Sequence, residues 1–177
     1  MKRIEIRLAG TGGQGVILAS VILAEAAGVY EGWQVVQTQS YGPEARGGAS
    51  KADVIISDEP IYFPKCRKLD LLLCLSQEAV EKYLSDLKIR GTAVIDSFYV
   101  RECPHPKTIC LPFSETARRE LGRELFTNVL ILGAVARITG LLKLDSLRKA
   151  VASRVPKQFL EINERALNLG WELAKDY

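Results

Sequence analysis

A glycine-rich turn near the amino terminus is the first stretch that could bind a charged ligand. Gly10, Gly12 and Gly15 lie in LAGTGGQGVILAS with the spacing of a dinucleotide-binding turn, and Gly13 exposes further backbone. In such turns the glycines permit a tight bend, let the backbone approach a pyrophosphate and let the next helix pack on the strand. The helix N-terminus then offers free N–H groups to an anion. The spacing is compatible with an anion site and with a purely structural turn.

The residues expected around a redox nucleotide are missing. The dinucleotide fingerprint places an acidic residue roughly 20 residues further on, where it binds a ribose hydroxyl. Here the second predicted strand ends in VQTQ, with neither a carboxylate nor an arginine. Val16 also stands near the turn where a phosphate-binding loop of a nucleotide hydrolase needs lysine. Nicotinamide, flavin and nucleotide hydrolysis are therefore disfavoured.

A second glycine-rich loop, QSYGPEARGGAS, lies between two predicted strands. Such a loop is expected on the surface, where function concentrates, although its glycines could simply supply positive φ angles. The loops that follow parallel strands emerge at the same edge of a sheet, so we expect the two glycine-rich segments to converge. The candidate residues of this loop are Tyr41, Gly42, Glu44, Arg46, Gly47 and Gly48.

The elements around these loops predict an α/β fold. Ile4, Ile6 and Leu8 alternate with charged residues as in a half-buried strand, and four further strands and a short edge strand follow. The runs DLLLCL and TAVID are continuously apolar, which is typical of parallel strands covered on both faces. We expect a three-layer, mostly parallel (mixed) Rossmann-like sheet with helices on both faces and a helical C-terminal part. The predicted strands are 33–39, 52–58, 69–76, 91–97 and 107–113.

The predicted helices begin and end at recognisable residues. The first covers 14–27 with Gly28 as its C-terminal cap, Gly140 ends a later helix, and Asp145 or Ser146 caps the next. A helix is also predicted over 77–88. The last helix carries an apolar stripe for docking on the sheet or on a partner. That stripe consists of Phe159, Ile162, Ala166, Leu169 and Leu173.

Composition predicts an ordinary globular protein. A chain of 177 residues with 47% hydrophobic residues suits one domain spanning residues 1–177. A net charge of +3 gives no indication of nucleic-acid or membrane binding. The N-terminus lacks a signal-peptide pattern, and the first helix is interrupted by Glu25 and shorter than a membrane span. We expect a cytoplasmic location.

The titratable residues predict no catalytic centre and no metal site. The four cysteines form no CxxC pair, so we expect reduced, buried thiols, with Cys74 in the core. The single histidine, His105, lies in CPHPK, where an exposed ring in a surface turn is expected. The sequence has no thiamine diphosphate signature, no cluster-binding cysteines and no nucleophile paired with a base, so we expect the chain to bind no cofactor and to carry out no chemistry alone.

The motifs together resemble one known family. GTGGQGVILAS, QTQSYGPEARGGASKADVIISDEPIYFP, DLLLCLSQEA and TNVLILGA resemble the gamma subunit of 2-oxoacid:ferredoxin oxidoreductases. The resemblance covers nearly the whole chain, and the loop SYGPEARGG is similar to that of the 2-oxoglutarate type.

This resemblance implies a heteromeric enzyme that converts a 2-oxoacid and coenzyme A to acyl-CoA and carbon dioxide while reducing ferredoxin. Alpha and beta subunits, and in some enzymes a ferredoxin-like delta subunit, would carry thiamine diphosphate, Mg and iron–sulfur clusters. The gamma chain would be inactive alone, and whether it forms a homodimer in isolation stays open.

We expect both glycine-rich segments to form a rim that faces the other subunits and the entry of coenzyme A. Arg46 would pair with a carboxylate or phosphate, and Glu44 would order its loop. Asn128 would cap its helix or hydrogen-bond the glycine turn. The residues contributed by that turn are Gly12, Gly13, Gln14 and Gly15.

Three alternatives remain open from the sequence. The chain could be a stand-alone nucleotide-binding or flavin-binding protein, or a spacer subunit with no role at an active site. It could also serve a pyruvate, branched-chain 2-oxoacid or indolepyruvate enzyme.

Overall fold

The computed structural model describes residues 3–40 and 48–177. It contains six strands and six α-helices within those ranges. The strands are β1 (Ile4–Thr11), β2 (Gln34–Ser40), β3 (Ala49–Ser57), β4 (Leu69–Cys74), β5 (Leu87–Asp96) and β6 (Thr108–Leu111). The helices are α1 (Val16–Glu25), α2 (Gln77–Tyr83), α3 (Phe113–Leu121), α4 (Thr127–Thr139), α5 (Leu144–Arg154) and α6 (Leu160–Leu173).

The strands form one mixed sheet in the order β2-β3-β1-β4-β5-β6. Strands β1, β4, β5 and β6 are parallel, whereas β3 runs antiparallel to both β1 and β2. The continuously apolar runs in β4 and β5 are buried, as parallel strands between two layers require. The α/β class, the mixed sheet, the edge position of β6 and the helical C-terminal part are therefore confirmed.

The two faces of the sheet are covered unequally. Side chains such as Ile6 and Leu8 share one large core with α1, α3, α4, α5 and α6. The opposite side of β1 contributes Ala9 to a smaller core that packs under α2. Helices are present on both faces as expected, but α2 is the only α-helix in the smaller core among the described residues.

Helices α4 and α6 cross with their backbones in close contact. A side-chain carbon built at Gly170 would lie 2.8 Å from the carbonyl carbon of Leu130, and one built at Gly133 would lie 2.7 Å from the amide nitrogen of Trp171. Such carbons are excluded at these distances, so glycine is required on both helices at the crossing. Two helices can then approach more closely than ordinary side chains allow.

Three predicted helix boundaries are wrong. Helix α1 begins at Val16, and its C-terminal end widens into a π-turn that includes Gly28, so Gly28 is not the cap. The helix predicted over 77–88 ends at Tyr83, because the chain then enters a short 3₁₀ turn and β5 begins at Leu87. Gly140 does end α4 with a positive φ of 62°, as predicted.

The start of α5 and the buried face of α6 also differ from prediction. The N-cap position of α5 is Lys143, without a side-chain cap, and Ser146 instead donates a hydrogen bond to Glu31 at 2.6 Å. Of the predicted stripe on α6 only Ala166 is fully buried, because the close crossing with α4 selects small side chains. The residues of this segment that are buried are Asn163, Ala166, Leu167, Gly170 and Ala174.

None of the helices in the described part of the chain has the length and hydropathy needed to cross a membrane.

Candidate functional site

The glycine turn lies at the C-terminal end of β1 and is held by Gln14. The Gln14 Oε1 atom accepts a hydrogen bond from the Thr11 amide at 2.7 Å, and its Nε2 atom donates to the Leu75 carbonyl at 3.2 Å. A side chain at Gly10 would collide with Gln14, so that glycine makes room for this clamp. Gly13 has a positive φ of 91°, which favours glycine. The turn is therefore tied to the segment that follows the neighbouring strand β4.

Asn128 lies directly beside the turn but does not cap its helix. It is the second residue of α4, whose N-cap position is Phe126. A side chain at Gly15, where φ is 73°, would lie 2.8 Å from Asn128 Nδ2 and 2.9 Å from its Cβ. The structure thus brings Gly15 and Asn128 together, and the expected capping role of Asn128 is wrong.

A small polar cavity opens between the glycine turn and the start of α4. It has a volume of about 90 Å³, and Gly13, Gln14, Ser114 and Thr127 contribute to its wall. Thr127 Oγ1 is buried and makes no hydrogen bond to any residue that the structure describes. Most buried hydroxyl groups are paired, so an unpaired one on a residue that lines a cavity is a candidate donor for a polar ligand or water there.

The electrostatics of this cavity favour an anion. The N-termini of α1 and α4 both lie at it, since Gly13 and Gln14 precede α1 and Thr127 begins α4. Free amide groups and the helix dipole give such ends a partial positive charge. Glu124 also lines the cavity, but its carboxylate pairs with Arg118 and accepts a hydrogen bond from the Tyr99 hydroxyl at 3.0 Å.

Five of the candidate residues in the second glycine-rich loop lie outside the described part of the chain: Tyr41, Gly42, Glu44, Arg46 and Gly47. The end of the loop is anchored from α2: Ala49 donates its amide to Glu78 Oε1 at 3.1 Å, and its carbonyl accepts the Tyr83 hydroxyl at 3.1 Å. Ser50 Oγ also donates to the Gly10 carbonyl at 3.2 Å. Gly48 therefore leads into a strand that is fastened beside the glycine turn, at the edge where the two segments were expected to meet.

A buried ion cluster on the α2 side of the sheet was not foreseen from the sequence. Arg7 donates to Asp53 at 2.6 and 2.9 Å and to Asp86 at 2.5 Å. Burial alone would lower the pKa of Arg7, but the two carboxylates raise it above its ordinary value, so the guanidinium stays charged. The signal in the sequence is a charged residue at an inward position of β1, whose partner across the ladder is Asp53. The cluster fastens β1 and β3 to the turn after α2.

The cysteines and the histidine show no catalytic arrangement. Burial raises the pKa of Cys66 to about 12 and also raises that of Cys74, which disfavours the reactive thiolate. Cys74 is in the core as predicted, whereas Cys110 is exposed because it points outward from the edge strand β6. The His105 ring is half-buried and contacts backbone, with Nδ1 accepting from the Lys107 amide at 3.2 Å. Within the described ranges, no three His, Cys, Asp or Glu side chains are grouped as metal ligands require.

Comparisons with known proteins identify the family. The family model described as pyruvate ferredoxin/flavodoxin oxidoreductase matches residues 5–173. The 2-oxoglutarate synthase subunit KorC of Methanocaldococcus jannaschii is 47% identical over 178 aligned positions, covering 98% of this chain and 95% of the relative.

Solved structures agree with this result. The gamma subunit of a keto/oxoacid ferredoxin oxidoreductase from Geobacter sulfurreducens superposes with a TM-score of 0.89 at 46% identity, covering 98% of this chain and 97% of that one. The 2-oxoglutarate:ferredoxin oxidoreductase of Magnetococcus marinus, solved with 2-oxoglutarate, coenzyme A and succinyl-CoA bound, has a TM-score of 0.85 at 26% identity. This chain is matched over its full length there but covers 32% of that longer chain. The protein belongs to the pyruvate ferredoxin/flavodoxin oxidoreductase family.

Proposed function

We propose that this chain is the gamma subunit of a 2-oxoglutarate:ferredoxin oxidoreductase. The enzyme converts 2-oxoglutarate and coenzyme A to succinyl-CoA and carbon dioxide, and the released electrons reduce ferredoxin. The observation that carries this proposal is the similarity, over almost the entire chain, to a 2-oxoglutarate synthase subunit. The other subunits supply thiamine diphosphate, magnesium and iron–sulfur clusters. Two of the four cysteines lie in β4 and β6 and two in connecting segments, and within the described ranges no three of them are grouped as a cluster requires.

The part played by this chain is to hold coenzyme A at the glycine turn. The cavity there combines exposed backbone, two helix N-termini and the unpaired hydroxyl of Thr127. A phosphate oxygen of coenzyme A would accept a hydrogen bond from that hydroxyl and from amide groups of the turn. Arg46 would add a bidentate contact from the second loop.

The test is Thr127→Val in the assembled enzyme, because valine keeps the shape of threonine and removes the hydroxyl. We expect the KM for coenzyme A to rise about 10-fold with little change in kcat, since a binding contact is lost. The isolated variant should unfold at the same or a higher temperature, because a buried unpaired hydroxyl has been removed. Thr38→Val on β2 is the matched control and should leave the KM unchanged.

Different outcomes contradict different parts of the proposal. An unchanged KM for coenzyme A in Thr127→Val would show that the cavity at the glycine turn does not bind coenzyme A. Arg46→Ala with unchanged steady-state kinetics and assembly would remove the second loop in the same way. An assembled enzyme that oxidises pyruvate but not 2-oxoglutarate would reassign the substrate.

A further inference from the structure

Three exposed apolar side chains from different elements converge at one place on the surface. Leu18 on α1, Leu125 in the 3₁₀ turn before α4 and Phe159 in the turn before α6 are 38%, 63% and 40% exposed. All three line the same cavity of about 140 Å³, together with Val155 and Pro156. We call Leu18, Leu125 and Phe159 the apolar patch.

The patch differs from the other exposed apolar side chains. Val29, Tyr62 and Ile89 are more exposed, but they lie on the π-turn after α1, the segment between β3 and β4, and β5. Single exposed apolar residues are normal on protein surfaces, whereas a contiguous group marks a site of interaction. Phe98 and Tyr99 are also exposed neighbours, but both lie on one turn, whereas the patch joins side chains from three separate elements around one cavity.

A longer groove continues from the patch and carries positive charge on its sides. It has a volume of about 550 Å³ between α3 and α6, and Phe126 and Phe159 line both it and the patch cavity. Arg123 lines the groove and has no ion-pair partner within residues 3–40 and 48–177, while Arg165 has only Glu120 at 3.8 Å. Glu161 also lines the groove, so two guanidinium groups and one carboxylate face it and its charge is positive on balance. The surface is complementary to an apolar side chain flanked by carboxylates.

The patch is continuous with the glycine turn. Leu125 lines both the patch cavity and the small polar cavity, and Asn128 lines the patch cavity while it packs against Gly15. In the Magnetococcus marinus enzyme the region matching this chain is about a third of a longer polypeptide. The rest of that polypeptide is covalently attached to the matching region, whereas the KorC relative, 95% of which is matched by this chain, must contact other subunits through its surface.

We infer that the apolar patch docks a neighbouring subunit of the oxidoreductase, which inserts an apolar side chain flanked by carboxylates next to the glycine turn. This inference rests on the proposed function. A subunit seated on Leu125 would also cover the small polar cavity, so docking would shield coenzyme A bound there from solvent.

The experiment measures the affinity of the purified chain for the remaining subunits of the enzyme, titrated together at two salt concentrations. We expect Leu125→Asp and Phe159→Asp each to weaken association at least about 10-fold, because a central apolar anchor is replaced by charge. Arg123→Glu should weaken it as well and reduce its dependence on salt. Ile89→Asp is the matched control, since Ile89 is 75% exposed and lies on β5, away from the patch.

Thermal unfolding of each isolated variant shows whether it is folded. Leu125→Met should associate as tightly as wild type, because it keeps an apolar side chain at this position. Association of Leu125→Asp within 2-fold of wild type would overturn the docking site. The site would also be overturned if Leu125→Asp only converted a dimer of the free chain to a monomer, because a second copy would then occupy the patch. If the wild-type chain itself fails to join the complex, it is the proposed function that is wrong.

Discussion

The close crossing of α4 and α6 predicts that Gly170→Ala destabilises the protein although alanine favours helices. The new methyl group would lie 2.8 Å from the Leu130 carbonyl carbon and closer still to its oxygen. Ordinary contacts begin at 3.4 Å, so the carbonyl carbon alone requires α6 to move away from α4 by about 0.6 Å, and the carbonyl oxygen requires a larger shift. A gap of about 0.5 to 1 Å already forfeits roughly a quarter to a half of the dispersion energy across the crossing.

The expected loss in the free energy of unfolding is about 1 to 3 kcal/mol, the usual cost of overpacking a rigid core. The helix propensity of alanine offsets up to about 1 kcal/mol of the gross strain. Urea unfolding followed by far-ultraviolet circular dichroism measures the difference. Trp171 fluorescence is a second probe, because this residue adjoins the substituted position.

Gly28→Ala is the matched control. A methyl group at Gly28 would meet the Val35 side chain at 3.5 Å, an ordinary contact, and Gly28 does not have a positive φ. We expect this variant to be neutral or slightly stabilised. The reasoning is refuted if Gly170→Ala unfolds within about 0.5 kcal/mol of Gly28→Ala, a difference typical of surface substitutions.

Two further predictions concern the turn and the contact between α1 and α5. Gly15→Ala should lower the free energy of unfolding by about 1 to 3 kcal/mol, because alanine is strained at a φ of 73° and its methyl group would collide with Asn128. Chemical unfolding measures this difference, and an unchanged stability would contradict the prediction. Although burial opposes it, hydrogen bonds from Ser153 and Arg154 lower the pKa of Glu25, so its contribution to stability is present at neutral pH and is lost as the pH falls through that lowered pKa. Glu25→Gln should therefore be less stable than wild type by about 1 kcal/mol at pH 7, with a difference that shrinks in acid, and a pH-independent difference would contradict this.

The central part of the sheet could be predicted because its sequence signals are unambiguous. The buried positions 71–74 of β4 and 93–95 of β5 are all apolar, and the sequence of β1 alternates between apolar and charged residues until the glycine turn begins. The direction of β3 is less visible, because an apolar strand pattern reads the same whether the strand is parallel or antiparallel to its neighbours. The buried Arg7 escaped notice since its two carboxylate partners are 46 and 79 residues away in sequence.

The buried face of α6 was missed for a physical reason. Hydrophobicity favours Leu169 and Leu173 as buried positions, but the helix packs backbone to backbone on α4 and therefore buries Ala166 and Gly170.

The polar role of Thr127 was also missed, because in the sequence Thr127 looks like an ordinary first residue of an apolar helix. Its unpaired hydroxyl becomes evident only when the cavity beside the glycine turn is seen.

The central position of β1 has a consequence for biosynthesis. Strand β1 is translated before β3 and β4, the two strands that flank it, so Ile4 can pair with Ile56, and Leu8 with Leu73, only after those later residues have been added. Until then β1 and the apolar helix α1 have no sheet to join. At about 5–20 residues per second this interval lasts several seconds. During that interval the apolar helix α1 is exposed on the nascent chain, well before the enzyme subunits can meet.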